Sequence, residues 1–111
     1  MGQNSEKNYY VYILRCCDGS LYTGLTCDLV RRLQEHQQGS VRAARYTRAR
    51  LPVACVWYSP PLQGRSAAAQ LEYRLKRMSR REKLAWIARE AQNGMNPLSV
   101  SVMGIGLRDE T

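Results

Sequence analysis

Two tyrosines, an arginine with a histidine four positions on, and one glutamate are the residues whose types and spacing could carry chemistry: Tyr12, Tyr22, Arg32, His36 and Glu72. Hydrolysis of a phosphodiester by attack at phosphorus needs a base for the nucleophile, cations for the developing negative charge and help for the leaving oxygen. Glu72 could hold a divalent metal, because Mg²⁺ commonly takes only one or two protein carboxylates and keeps several waters. Arg32 could clamp the scissile phosphate, and His36 could orient it or exchange a proton with it. A tyrosine beside these cations could serve as base, despite an ordinary pKa of about 10. Each residue also has a plainer reading. Tyr12 and Tyr22 could simply pack a sheet, and Arg32 could pair with Asp28 across one helical turn. His36 could be a satisfied edge histidine, and Glu72 a surface partner for Lys76. Taken singly, none compels an enzyme.

The elements that must position them are also written in the sequence. Tyr9 to Cys16 (YYVYILRC) is rich in aromatic and β-branched residues and predicts a strand with little exposed surface. Asp18-Gly19 is a strong turn signal, after which Ser20 to Leu25 returns as the second strand of a hairpin, with Tyr12 and Tyr22 on neighbouring strands. Thr26 or Asp28 can cap a helix running to about Gln38, with Gly39 at its C′ position. Its apolar positions are Leu29, Val30 and Leu33, and Arg32 and His36 fall one turn apart at the edge of that stripe, looking along the sheet. Ser40 to Leu51 is basic, interrupted by small residues and closed by Pro52, and is expected to be a loop or mobile connector. Val53 to Tyr58 has the length and composition of a strand. Ser66 is the expected cap of a helix from Ala67 to about Met78, with Ala68, Leu71, Leu75 and Met78 inward and Glu72 at the shoulder. Ser79-Arg80-Arg81-Glu82 is a capping box that starts a third helix through Leu84, Ile87, Ala88 and Ala91. Residues 1–7 are a polar segment, and residues 95–111 show no period and are expected to be a flexible tail.

The chain has 111 residues and a net charge of +8 with its single histidine neutral, a length for which one compact domain is expected. Hydrophobic and charged shares of 44% and 23% are those of an ordinary globular protein and argue against a disordered chain. No apolar run approaches the ~20 residues that cross a bilayer, and Met1 to Asn8 lacks a signal-peptide pattern, so a soluble, cytoplasmic protein with no membrane partner is expected. The positive charge is concentrated in two windows. One holds Arg31, Arg32, Arg42, Arg45, Arg48 and Arg50 against Asp28 and Glu35; the other holds Arg65, Arg74, Lys76, Arg77, Arg80, Arg81 and Lys83 against Glu72 and Glu82. Most of these cations are arginines, whose planar fork suits phosphate oxygens, so a nucleic-acid backbone is the expected partner. The candidate backbone contacts are Arg31, Arg42, Arg45, Arg48, Arg50, Arg74, Lys76 and Arg77. Cys16, Cys17, Cys27 and Cys55 contain no C-x-x-C pair and are read as reduced, partly buried thiols rather than as a zinc site with His36, with Cys16 and Cys17 facing opposite ways.

The order of these residues is similar to that of the GIY-YIG endonuclease superfamily. Tyr10-Val11-Tyr12, then Tyr22-Thr23-Gly24, then Arg32 with His36, then a helical Glu72, extend the resemblance from about Asn8 to Asn93. It is nearest the small single-domain members, in the style of YVYILRC, DGSLYTG, RRLQEH and RSAAAQLEYRLKRMSRREKL. The resemblance implies an α/β (α+β) fold, a small three-stranded antiparallel sheet flanked by three helices, spanning residues 8–94. It also implies single-metal hydrolysis of a nucleic-acid phosphodiester, with Glu72 holding Mg²⁺ or Mn²⁺. Tyr12 and Tyr22 match the two motif tyrosines, Arg32 the catalytic arginine and His36 its frequent companion. Gly24 matches the closing glycine, where chain and substrate would approach closely. Tyr22 is the preferred base and Tyr12 the alternative, since spacing alone does not assign the role. Two positions depart from the family pattern: Tyr10 stands at the glycine of the first motif, and Thr23 replaces the Ile or Val of the second. The expected activity is metal-dependent cleavage of nucleic acid, DNA ahead of RNA and branched or single-stranded DNA in particular, in repair, recombination or processing. A protein partner could supply the targeting that an added domain gives other members. The rival expectation is a nucleic-acid-binding module or accessory subunit that keeps the fold without useful cleavage.

Overall fold

The computed structural model describes residues 7–40 and 42–92. The expectations for the opening before Lys7 and for the 95–111 tail lie outside the described residues. Among the described residues, four strands and four helices follow in the order β1 (Asn8–Arg15), β2 (Leu21–Thr26), α1 (Leu29–Gln38), α2 (Arg45–Arg48), β3 (Ala54–Tyr58), β4 (Leu62–Gln63), α3 (Arg65–Lys76) and α4 (Arg80–Gln92). The sheet is antiparallel in the order β2-β1-β3, with β4 pairing against the start of β1. Among the described residues no helix is long and apolar enough to cross a membrane.

β1 is the central strand, and its apolar run is unbroken because both faces are covered: Val11, Tyr12, Ile13 and Leu14 are all buried. On one face, Tyr12, Leu14 and Cys16 pack with Leu29 and Leu33 of α1 and with Val53 and Cys55. On the other, Val11 and Ile13 pack with Trp57 and with Ala68 and Leu75 of α3, and Trp86 and Ile87 of α4 close over them. Cys55 and Trp57 are two residues apart on β3 yet serve opposite faces. A register shift opposite Ile13 and Leu14 resets the alternation between them.

Local signals explain most boundaries. The hairpin turns on Gly19 at φ 83°, while Asp18 Oδ1 accepts from the Ser20 amide (3.0 Å) and hydroxyl (2.6 Å). Asp28, rather than Thr26, caps α1 by accepting from the Arg31 amide at 3.2 Å, and Gly39 ends the helix at φ 66°. Ser79 and Glu82 form the expected reciprocal box at 2.8 and 3.1 Å.

Four expectations need correction, and one short strand, β4, is unanticipated. Ser66 does not cap α3: the helix already starts at Arg65, because Gly64 at φ 87° turns the chain directly out of β4. β4 itself is too short to show a pattern; Ser59 carries the ladder past Pro60 and Pro61 by exchanging hydrogen bonds with the Val11 backbone. The Ser40–Leu51 connector contains α2. Val30 is exposed, leaving Leu29 and Leu33 as the inward residues of α1. The inward face of α4 is set by Trp86, which meets Trp57 edge-on at 5.8 Å. Lys83 one turn back is therefore buried by its stem, while Leu84 is 40% exposed and Ala88 and Ala91 lie outside the core.

Candidate active site

Tyr12 projects from β1 toward α1, directly across from Gly24 on β2. A Cβ placed at Gly24 would lie 2.5 Å from Tyr12 Cζ, so the close approach at this glycine is made by the Tyr12 ring. Tyr22, two positions along β2 and on the same face, sits with its ring 6.5 Å from that of Tyr12 and 5.6 Å from that of His36. α1 lays Leu29 and Leu33 on this face, which brings Arg32 and His36 over the tyrosines one turn apart. The structure thus gathers Tyr12, Tyr22, Arg32, His36 and Gly24.

The hydrogen bonds among them have a direction. Thr47 on α2, wholly buried, donates its hydroxyl to the Ala44 carbonyl at 3.0 Å, so its oxygen accepts from His36 Nδ1 at 2.8 Å. That network assigns the proton to Nδ1 and leaves Nε2 to accept from the Tyr12 hydroxyl at 2.8 Å. Arg32 Nε in turn donates to Tyr12 Oη at 3.4 Å. Arg32 is further fixed through Nη1 by Glu35 at 3.0 Å and by the Arg42 carbonyl, whereas its Nη2 makes no hydrogen bond among the described residues. The plain pairing of Arg32 with Asp28 does not form; Asp28 takes Arg31 at 3.7 Å instead.

Burial sets the proton affinities. It raises the Tyr12 phenol against the opposing pull of Arg32, and it lowers His36 to about 4, with the nearby Arg32 charge acting the same way. For Arg32, burial favours the neutral form, but hydrogen bonds to Tyr12 and Glu35 outweigh it and hold the charge. Burial also raises Cys55, to about 12, and Cys16, so both are inert packing thiols. Cys17, by contrast, is exposed, as its alternation with Cys16 predicts.

A histidine buried neutral makes stability depend on pH. In the unfolded chain His36 takes up a proton near its ordinary value of 6.5, in the folded one only near 4, so acid favours unfolding between them. This contribution is complete above about pH 6.5 and is lost as pH falls toward 4, roughly 3 kcal/mol in all. Urea unfolding of wild type and His36→Gln at pH 7 and pH 4.5 should show the larger loss in wild type. Equal losses would assign the acid sensitivity to other groups.

Glu72 is not part of this network. It lies on α3, across the sheet from α1, with its side chain 21% exposed and Oε2 3.3 Å from Lys76 Nζ, which is the plain reading of that residue. α3 nevertheless runs against β1 and β2, the strands that carry the two tyrosines. Of the candidate backbone contacts, Arg42, Arg45, Arg48 and Arg74 are exposed and make no ion pair among the described residues. Arg31 is exposed beside Asp28 and Glu35. Arg50 is tied to Asp18 at 3.1 Å, Lys76 to Glu72, and Arg77 to the Tyr73 hydroxyl at 3.0 Å. Sequence reasoning missed Tyr46 and Thr47, the adjacent residues of α2 that meet Tyr22 and His36. The only signal for Tyr46 was an aromatic four positions before an arginine, a spacing that Tyr73 and Arg77 repeat.

Residues 8–85 match the family model described as the GIY-YIG catalytic domain. The chain is 46% identical over 88 residues to the UPF0213 protein of Streptococcus sanguinis, covering 79% of this chain and 98% of that one. It is 47% identical over 87 residues to the UPF0213 protein of Oceanobacillus iheyensis, covering 78% and 98%. The solution NMR structure of a UPF0213 protein from Bacillus halodurans is 42% identical, covers 73% of this chain and 83% of that chain, and superposes with a TM-score of 0.48. With the two motif tyrosines, the glycine and the arginine–histidine pair gathered on one face of the sheet, and the model spanning nearly all the described residues, the chain belongs to the GIY-YIG family of nuclease domains.

Proposed function

We propose that the protein is a metal-dependent endonuclease that hydrolyses phosphodiester bonds, with DNA as substrate and a role in DNA repair, recombination or processing. The observation that carries this reading is the buried chain from Thr47 through His36 and Tyr12 to Arg32, which holds a guanidinium with one nitrogen unspent beside a second, half-buried tyrosine. Arg32 Nη2 hydrogen-bonds a non-bridging oxygen of the scissile phosphate and follows its charge as it grows. Tyr12 is already committed as a donor to His36, and its burial opposes the phenolate, so Tyr22, in its phenolate form, is the base that takes the proton of the attacking water and becomes the phenol. His36, neutral at physiological pH, positions Tyr12. Glu72 fits a hard divalent cation: its carboxylate is reachable, and its one ion-pair partner among the described residues is a half-exposed lysine. Glu72, on the helix that runs against β1 and β2, would hold Mg²⁺ or Mn²⁺, which when bound would supply charge neutralisation and a more acidic water. Arg31, Arg42, Arg45, Arg48 and Arg74 hold the nucleic-acid backbone, independently of sequence and more weakly as salt rises.

The test is cleavage of supercoiled, branched and single-stranded DNA with Mg²⁺ or Mn²⁺. Wild type should cut, and Glu72→Ala should lower the rate about a hundredfold. No cleavage by wild type, or an undiminished rate in Glu72→Ala, would overturn the assignment; metal-independent, salt-sensitive binding without cleavage would favour a binding module.

A further inference from the structure

Outside the hydrogen-bonded chain, Tyr22 is continued toward solvent by a stack. The Tyr46 ring lies 6.0 Å from that of Tyr22 and inclined by only 24°, and the Arg50 guanidinium carbon stands 3.8 Å from the Tyr46 ring centroid. Tyr46 is 37% exposed and the Arg50 side chain 36%. Two bonds fix Arg50: Nε donates to Asp18 Oδ2 at 3.1 Å and Nη1 to the Tyr46 carbonyl at 3.1 Å. A guanidinium so held has lost the fork with which arginine chelates a phosphate, and what it retains for a ligand is chiefly its flat face. The platform is rigid, because Thr47, the next residue, is locked inside against His36. Arg45 and Arg48 share α2 with Tyr46 and, like Arg42 on the same connector, are exposed, so a nucleic-acid backbone drawn to them brings its bases toward the stack.

We propose that the outward face of the Arg50 guanidinium, backed by the Tyr46 ring, is the seat of one unpaired nucleobase at the solvent end of the stack that begins at Tyr22, so that a phosphate of the same strand is the one presented for cleavage. The inference rests on the nuclease reading and sharpens it to a substrate class: strands or junctions in which the base next to the scissile phosphate is unpaired. A base inside a duplex already has stacking neighbours and cannot occupy the seat, whereas a free base gains a stacking partner that tolerates any sequence.

The test compares two fluorescent single-stranded DNA oligonucleotides of equal length and charge, one normal and one abasic, by anisotropy in EDTA. Wild type should bind the normal strand about tenfold more tightly. Tyr46→Ala should bring it down to the abasic affinity, and Tyr46→Phe should keep the preference. A 2-aminopurine strand should also change its fluorescence on wild type and fail to do so on folded Tyr46→Ala. Equal binding of the two strands by wild type, or an unchanged preference in Tyr46→Ala, would overturn the seat. If cleavage still depends on Glu72 in that case, the nuclease reading survives alone. If wild type neither binds nor cuts any strand, both fall.

Discussion

Arg32→Ala should lower the cleavage rate about a thousandfold while leaving the fold intact. The side chain enters the site along the edge of α1, a quarter exposed, and three contacts immobilise it: Tyr12 at Nε, Glu35 and the Arg42 carbonyl at Nη1. None is a core packing contact, so thermal stability should change little. A charge oriented before substrate arrives needs no reorganisation when the phosphate becomes more negative, and loss of one such donor commonly costs 10²–10³-fold. Arg32→Lys is the sharper variant. Lysine restores the charge but not a planar group that can donate to Tyr12 and to phosphate at once, so it should recover less than about tenfold of the loss. Single-turnover rates with saturating enzyme measure this directly. Full recovery in Arg32→Lys would reduce the residue to a point charge.

Gly24→Ala should inactivate and destabilise the protein together. Positive φ occurs at Gly19, Gly39 and Gly64 among the described residues but not at Gly24, so no backbone strain is at stake there. What the position requires is space. An alanine Cβ would stand 2.5 Å from Tyr12 Cζ and 2.9 Å from Cε1, and the ring has no open side to move into, being 1% exposed under α1. Either the hairpin separates or the ring swings off His36 and Arg32. Overpacking of this kind costs about 1–3 kcal/mol, and losing the Tyr12 hydrogen bonds to His36 and Arg32 should lower the cleavage rate as well. A double-mutant cycle identifies the cause: in a Tyr12→Ala background, with the ring gone, Gly24→Ala should be nearly neutral. An undiminished penalty there would trace the glycine's role to the backbone instead.

These two positions also show where the sequence was readable. The caps of α1, the hairpin turn and the Ser79–Glu82 box are local, each decided within four residues, and they stand as expected. So does the helical spacing of Arg32 and His36. The steric reason for Gly24 lies across the strand pair, twelve positions from Tyr12, and no local pattern carries it. α2 is a single turn with one buried residue, too short for any period, so Tyr46 and Thr47 were invisible to pattern even though they touch the site. On α4 the stripe through Leu84 misled because one Trp86–Trp57 contact outweighs several small apolar residues in choosing the inward face. Thr23, the departure from the second motif, keeps a β-branched shape on the buried α3 face, while its hydroxyl has no hydrogen-bond partner among the described residues.

The stretch from Arg42 to Thr47 is fastened to α1 at both ends, by its Arg42 carbonyl to Arg32 and by its Thr47 hydroxyl to His36. A basic connector held this way cannot serve as a lid that orders over substrate, since undoing either clasp also unseats a site residue. Its amides should therefore exchange with deuterium no faster than those of α1, and substrate should meet a site already assembled, with no folding step charged against the binding energy.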